Sequence, residues 1–391
     1  MAWIKHKISS ERYEAAAVFD VNGDGIPDIV SGAYWYAGPD FAEKYKICDV
    51  QAEGEYFDDF SDVGLDVNGD GRLDIVTGGW FGRTLRWREN PGTTGPWTVH
   101  DIDECGCIET IRLFDIDGCG TPEIFPNTPG NPQACYKLLQ DGNGRGRGLF
   151  RRHVLYDAPS GHGMGFADVD GDGRVDLLLA NGWLRQPDAG PWSGPWDFHP
   201  EYDCGFSAAS VPILGHDVNG DGRTDLIVGH AHGYGLAWLE QQGTESGGRR
   251  FVRHVIDGDH AQFHDLQLAD VDGDGMLELV TGKRWRAHCG GDPGDNDDVF
   301  IYCYRIDGGR FTREVIDEGP AGSGEHSGVG IWFALADLAG RGRLDLVAPG
   351  KEGLFWFENV PDPISVAGHG TEPPLREREG RMDRCNLFDW P

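Results

Sequence analysis

The chain has 391 residues, of which 65 are Asp or Glu and 34 are Lys or Arg, giving a formal net charge of −31. No cluster of basic side chains is present to meet phosphates, which excludes nucleic acid as a partner, and no apolar run approaches the roughly 20 residues that cross a bilayer. Nine cysteines, odd in number and irregularly spaced, point to mostly reduced thiols rather than a disulfide framework.

The start, Met1-Ala2-Trp3-Ile4-Lys5, has no basic stretch followed by an apolar core, so the expectation is a cytoplasmic protein, or a secreted one if a signal has been removed. Its continuation to Ile8 alternates as an outer strand would, and matches Phe251 to Ile256 residue for residue in pattern. From Asp20 to Asp28 the chain reads Asp-Val-Asn-Gly-Asp-Gly-Ile-Pro-Asp. Close copies begin at Asp66, Asp168, Asp217 and Asp270 and weaker ones at Asp115 and Asp337, so one supersecondary unit is written seven times at intervals of 46 to 67 residues.

Each unit repeats one grammar: an apolar run into the acidic loop, a short strand out of it, an aromatic strand, then a basic-apolar strand. Four short antiparallel strands in seven units predict an all-β fold, a seven-bladed β-propeller of four-stranded blades. The last unit lacks an outer strand, and the N-terminal strand is expected to complete it. The propeller should span 1–360, with a polar, Pro-containing tail over 361–391. The excursion from His288 to Asp298 is the longest between loops.

The loops offer oxygen ligands at positions 1, 3, 5 and 9, with glycines at 4 and 6 for the tight turn, which suits Ca2+. The expected structural calcium ligands are Asp20, Asn22, Asp24 and Asp28; Asp66, Asn68, Asp70 and Asp74; Asp168, Asp170, Asp172 and Asp176; Asp217, Asn219, Asp221 and Asp225; and Asp270, Asp272, Asp274 and Glu278. Five bound Ca2+ would move the net charge from −31 to about −21. In the third copy Cys119 replaces an acid, and in the seventh Ala339 and Arg341 remove two ligands, so no Ca2+ is expected there; Arg341 is expected to stand where the cation would sit.

If each loop joins the first and second strands of its unit, residues entering the first strand and leaving the second share the opposite face. Six residues before the first loop acid stand Glu14, Phe60, Glu109, His162, Val211, His264 and Ile331. Glu14, Glu109, His162 and His264 form a mixed imidazole and carboxylate set suited to Zn2+, Mn2+, Fe2+ or Mg2+ as a catalytic cofactor. Five residues past the last loop acid come Asn181, His230 and Lys283, and two further on Trp35, Trp183, His232 and Trp285. The Trp side chains and Asn181 are candidate sugar-binding groups, since aromatic faces beside polar groups stack on sugar rings. His162, His264, His230, His232, Lys283 and His326 are the candidate catalytic groups.

The repeated Asp-Val-Asn-Gly-Asp-Gly phrase followed by an apolar strand resembles the FG-GAP/VCBS repeat family over about residues 3 to 360. The single propeller with its His-rich mouth is also similar to the propeller domain of the aldos-2-ulose dehydratase family, although the cupin and lectin domains of those enzymes are missing here. That resemblance implies a carbohydrate-active lyase, with metal-dependent β-elimination of water from a keto sugar such as 1,5-anhydrofructose. The alternatives are a polysaccharide lyase acting on a uronic acid, with Arg284 and Arg112 against the carboxylate, and a non-catalytic sugar-binding or adhesion propeller. The expected partner is a small carbohydrate or an oligosaccharide, with no nucleic acid and no membrane; no feature of the sequence specifies an oligomeric state.

Overall fold

The computed structural model describes residues 1–245 and 247–361; past its first residue, the expected tail lies outside them. Among the described residues every regular element is a strand.

The repeated phrase shows how the sequence builds each strand pair. The Asp20 carboxylate turns back on the chain: Oδ1 accepts from the backbone N–H groups of Gly23 (2.7 Å) and Asp24 (3.2 Å), and Oδ2 from that of Gly25 (2.8 Å). Gly23 and Gly25 lie at φ 78° and 85°, where a side chain would be strained, so the glycines permit the loop to close. Asp28 then turns inward, fully buried, and takes the N–H groups of Val21 and Gly38 at 2.9 Å each. Position 9 therefore ties the loop to the next hairpin, and the equivalent bonds recur at Asp74, Asp176 and Asp225.

Strands leaving the loops are apolar and buried on both faces, as at Asp74–Thr77 and Asp176–Leu179, because sheets pack against both sides of them. Leu177, Phe125, Met164 and Trp196, drawn from neighbouring sheets, share one such core. Each buried side chain of this size contributes about 1.5–3 kcal/mol.

Apart from the short hairpin of Ala52–Glu53 and Tyr56–Phe57, the strands form antiparallel sets of four. In chain order these begin with Ala17–Phe19, Asp28–Ser31, Tyr34–Tyr36 and Lys44–Lys46, then Val63–Leu65, Asp74–Thr77, Thr84–Glu89 and Thr98–Glu104, then Thr110–Phe114, Glu123–Asn127, Pro132–Gln140 and Gly146–Pro159. An eight-stranded sheet follows, in which the set from Met164–Ala167 to Asp197–His199 joins the set from Ile213–His216 to Arg249–Ala261 through a parallel pairing of their first strands. Phe263–Ala269, Glu278–Lys283, Val299–Asp307 and Arg310–Gly319 make the next sheet. The last one combines Ala334–Ala336, Asp345–Ala348 and Leu354–Val360 with the N-terminal strand Ala2–Ser9, which pairs antiparallel so that Trp3 faces Asn359.

First strands lie side by side: Ala17–Phe19 touches both Val63–Leu65 and Ala334–Ala336. They surround a cavity of about 480 Å³ lined by Val18, Val63, Leu113 and Phe333. Arg112, which also lines it, is committed to Asp265 at 2.8 Å and lies 4.0 Å over the Trp332 ring. The eight described cysteines are unbridged.

Candidate metal centre

Three first strands bring one candidate ligand each to the face opposite the acidic loops. Glu109 immediately precedes Thr110–Phe114, His162 enters Met164–Ala167 and His264 lies at the start of Phe263–Ala269; His232 comes from the turn between Asp225–Gly229 and Tyr234–Gly243. One donor atom from each of these four residues lies within 4.8 Å of the other three. His264 Nε2 is 2.8 Å from Glu109 Oε1, His162 Nε2 is 3.5 Å from the same oxygen, and the Nε2 atoms of His162 and His232 are 3.3 Å apart. The three rings stand nearly at right angles to one another, at 88°, 79° and 79°. Glu109 and His264 are buried, whereas the His162 and His232 side chains are each 11% exposed, so the group opens toward them.

A second layer holds these side chains. The Ala209 carbonyl lies 2.6 Å from His162 Nδ1, and Asp292 Oδ2 lies 3.1 Å from His232 Nδ1. His288 stacks on His232 at 4.2 Å and bonds the other Asp292 oxygen at 2.7 Å. Arg284 Nη1 donates to Glu109 Oε1 at 2.9 Å.

Electrostatics follow from this burial. Desolvation, with the Arg284 charge adding to it, pushes His264 well below the usual imidazole range, and desolvation takes His232 down to about 4 despite its bond to Asp292. Burial opposes ionisation of Glu109 and Asp292, yet the imidazoles around both, and Arg284 beside Glu109, hold these carboxyls well below their ordinary values. The centre thus sets imidazoles, of which His232 and His264 resist protonation through burial, beside ionised carboxylates, the donor types that hold a divalent transition metal.

Several expectations need correction. Glu14 does not join the centre: its carboxylate is held by Arg284 Nε at 3.2 Å and Lys351 at 3.3 Å. Lys283 is buried with its ammonium donating to the carbonyls of Gly294 and Asp297, so it is anchored to the 288–298 excursion and is no free base. His326 pairs with Asp317 at 2.9 Å, apart from the centre. Trp35 and Trp183 are buried, stacked on Tyr45 and His199, so neither offers a face to a sugar; Trp285 is half-buried with its N–H on the Asp295 carbonyl at 3.1 Å. Arg284 lies between Glu14 and Glu109 and cannot meet a substrate carboxylate.

Asn181 is exposed and lines a cavity of about 280 Å³ together with His162, Asp203, Phe206 and Ser207. His230 lies beside it: Nε2 is 3.0 Å from Ser207 Oγ, Nδ1 is 3.3 Å from the Tyr234 carbonyl, and the ring stacks on Phe206. Sequence reasoning missed Asp292 and His288, for which the length of the 288–298 excursion was the available signal.

Among the described acidic loops, three donor atoms converge at Asp168, Asp170 and Asp176, at Asp270, Asp272 and Glu278, and at Asp115, Asp117 and Cys119. In this last loop Lys137 inserts its ammonium 2.5 Å from Asp117 and 2.7 Å from Glu123. Arg341 likewise sits 3.1 Å from Asp345, the ninth residue of the seventh copy.

Fold and centre together define an all-β, propeller-like protein with a histidine and carboxylate cluster at one mouth. The FG-GAP-like repeat family matches residues 217–281. Among solved structures, BBS1N in complex with ARL6DN superposes with a TM-score of 0.51 at 11% identity, covering 93% of this chain and 99% of that one, a likeness of fold. Rhamnogalacturonan lyase YesW gives 0.45 at 14% identity over 88% of this chain and 71% of that one, and Saccharomyces cerevisiae Sqt1 gives 0.46 at 12% identity over 92% and 98%. No curated protein matches, so the resemblance to aldos-2-ulose dehydratases gains no support from them.

Proposed function

We propose that the chain is a closed, seven-bladed β-propeller whose mouth carries a metal-dependent lyase site, and that it eliminates water from a neutral keto sugar such as 1,5-anhydrofructose. The observation that carries this reading is the convergence of Glu109, His162, His232 and His264, with the His162 and His232 side open to solvent. A divalent metal held there would polarise the sugar carbonyl and acidify the neighbouring C–H. His230 serves as base: its pKa is lowered by burial, and its Nε2 is paired to Ser207, which lines the same cavity as His162. The base takes the proton α to the carbonyl and returns it to the hydroxyl on the β carbon, whose C–O bond breaks as the double bond forms, so that one water leaves.

The preference for a neutral sugar over a uronate rests on where the cations are. Arg112, Arg284 and Lys283 are all committed to buried partners, and the cavity lining includes Asp203 but no Lys or Arg. A carboxylate substrate would meet repulsion from Asp203 there and find no Lys or Arg partner, with the metal ion itself as its one counter-charge. The acidic loops are proposed to hold structural Ca2+, except the third and seventh.

The test is turnover of 1,5-anhydrofructose by the metal-loaded protein, followed as the ultraviolet absorbance of the enone product. Turnover lost in His162→Ala supports the reading. A loaded protein that binds sugars but turns over neither keto sugars nor uronates is a binding module instead.

A further inference from the structure

We infer that the metal ligands are Glu109, His162 and His232 alone, and that His264 stays outside the set as the N–H donor that positions Glu109. The inference rests on the metal-centre reading above and assigns its coordination. It follows from which ring nitrogens carry hydrogen.

A carbonyl oxygen can only accept, so the 2.6 Å contact from His162 Nδ1 to Ala209 requires the proton on Nδ1. Asp292 is likewise an acceptor, shared between two imidazoles, so His232 Nδ1 also carries its proton. With each Nδ1 carrying a proton, a neutral ring leaves Nε2 as a bare lone pair, and the two Nε2 atoms face each other at 3.3 Å. Two acceptors at that distance repel unless a metal ion or a proton joins them, and a metal ion displaces such a proton.

His264 has the opposite arrangement. Its Nε2 faces the Glu109 carboxylate at 2.8 Å and must donate, while its Nδ1 is buried with no hydrogen-bond partner. A bare, buried acceptor is tolerated somewhat better than an orphaned N–H. To bind a metal through Nε2, His264 would have to move its proton to Nδ1, creating such an orphan. His264 and Arg284 therefore both donate to Glu109 Oε1 and hold the carboxylate in place for the two imidazoles.

Two imidazoles and one carboxylate make a set suited to Zn2+, Fe2+ or Mn2+ and leave coordination positions for water or substrate. The ligand class this admits is a pair of adjacent sugar oxygens, a carbonyl and the hydroxyl next to it, chelating together. A set of three imidazoles plus carboxylate would leave fewer positions.

The experiment is long-range proton–nitrogen correlation on the full chain with 15N-labelled histidine, using Zn2+ as a diamagnetic probe and single variants for assignment. Two rings should show a metal-shifted Nε2 with a protonated Nδ1, and His264 should keep a protonated Nε2 and a bare Nδ1. In parallel, His264→Gln, whose amide retains an N–H donor, should keep Zn2+ with an affinity loss of no more than about 100-fold, whereas His162→Ala should lose it. A metal-shifted His264 Nε2, or a His264→Gln protein that is folded and as metal-free as His162→Ala, overturns the inference. If no ring shifts when Zn2+ is added, the metal-centre reading itself fails, and the coordination assigned here falls with it.

Discussion

Nε2 of His162 and Nε2 of His232 face each other across 3.3 Å, while the Nδ1 of each ring is turned to an acceptor that fixes its proton on the far side. The approach to Met164–Ala167 and the turn between Asp225–Gly229 and Tyr234–Gly243, in the two joined halves of one eight-stranded sheet, thus present paired nitrogens to one point, beside the Glu109 carboxylate. Imidazoles held by outer acceptors in this way are oriented before any metal arrives.

Asp292 should matter to metal affinity although it is not a ligand in this account. Asp292→Ala removes the acceptor of His232 Nδ1 and frees the ring to turn. Competition with a chromophoric chelator should show affinity weakened about 10- to 100-fold. Affinity unchanged within about twofold would mean that His232 is held by packing against His288 alone.

The ninth-position carboxyls make stability depend jointly on pH and Ca2+. Burial raises Asp74 and Asp225 to about 6 and Asp176 to about 7. Because these folded-state values lie above the unfolded value of about 3.9, the contribution is fully present below that value and is lost as pH rises through 6 to 7. A bound cation favours the ionised form and reverses the loss. The rise in melting temperature on adding Ca2+ should therefore be larger at pH 8 than at pH 5; an equal rise at both would contradict cation binding at these carboxylates.

Lys137 stands in for a cation in the third loop, against Asp117 and a fully buried Glu123. Lys137→Met should cost about 3 kcal/mol in urea unfolding by stranding those charges. Added Ca2+ should recover part of that loss in the variant and not in this loop of the parent. No Ca2+-dependent recovery would show that the loop lacks a cation position.

Removal of the N-terminal strand Ala2–Ser9 strips Leu354–Val360 of its outer partner and exposes the core that Trp3 covers. A deletion of residues 2–9 should lower the melting temperature by about 10 °C or more. An unchanged melting temperature would contradict a ring held shut by that pairing.

Much of this was legible in the sequence because the acidic phrase carries its own geometry. Its first Asp and two glycines fold the loop, its ninth residue anchors the next hairpin, and the strands on either side follow, as does the N-terminal partner of Leu354–Val360. Counting back from the phrase reached Glu109, His162 and His264, since strand direction alone puts them on one face. Glu14, at the same position, was turned away because Arg284 and Lys351, both remote in sequence, claim its carboxylate. Trp35 and Trp183 recur at a regular offset because sheets need large side chains between them, and that periodicity imitates a sugar platform. Asp292 carries no periodic signal at all: it reaches His232 only because the excursion from His288 to Asp298 is tied down through Lys283, Gln262 and Tyr234.

The most direct test is the metal content of the full chain after Ca2+ has been exchanged away, compared with the double variant His162→Ala/His232→Ala under the same conditions. A single equivalent of a divalent transition metal per chain is expected in the parent and none in the variant, with the β-sheet circular dichroism of both unchanged. Equal transition-metal content in the two folded proteins, or none in either, would contradict it.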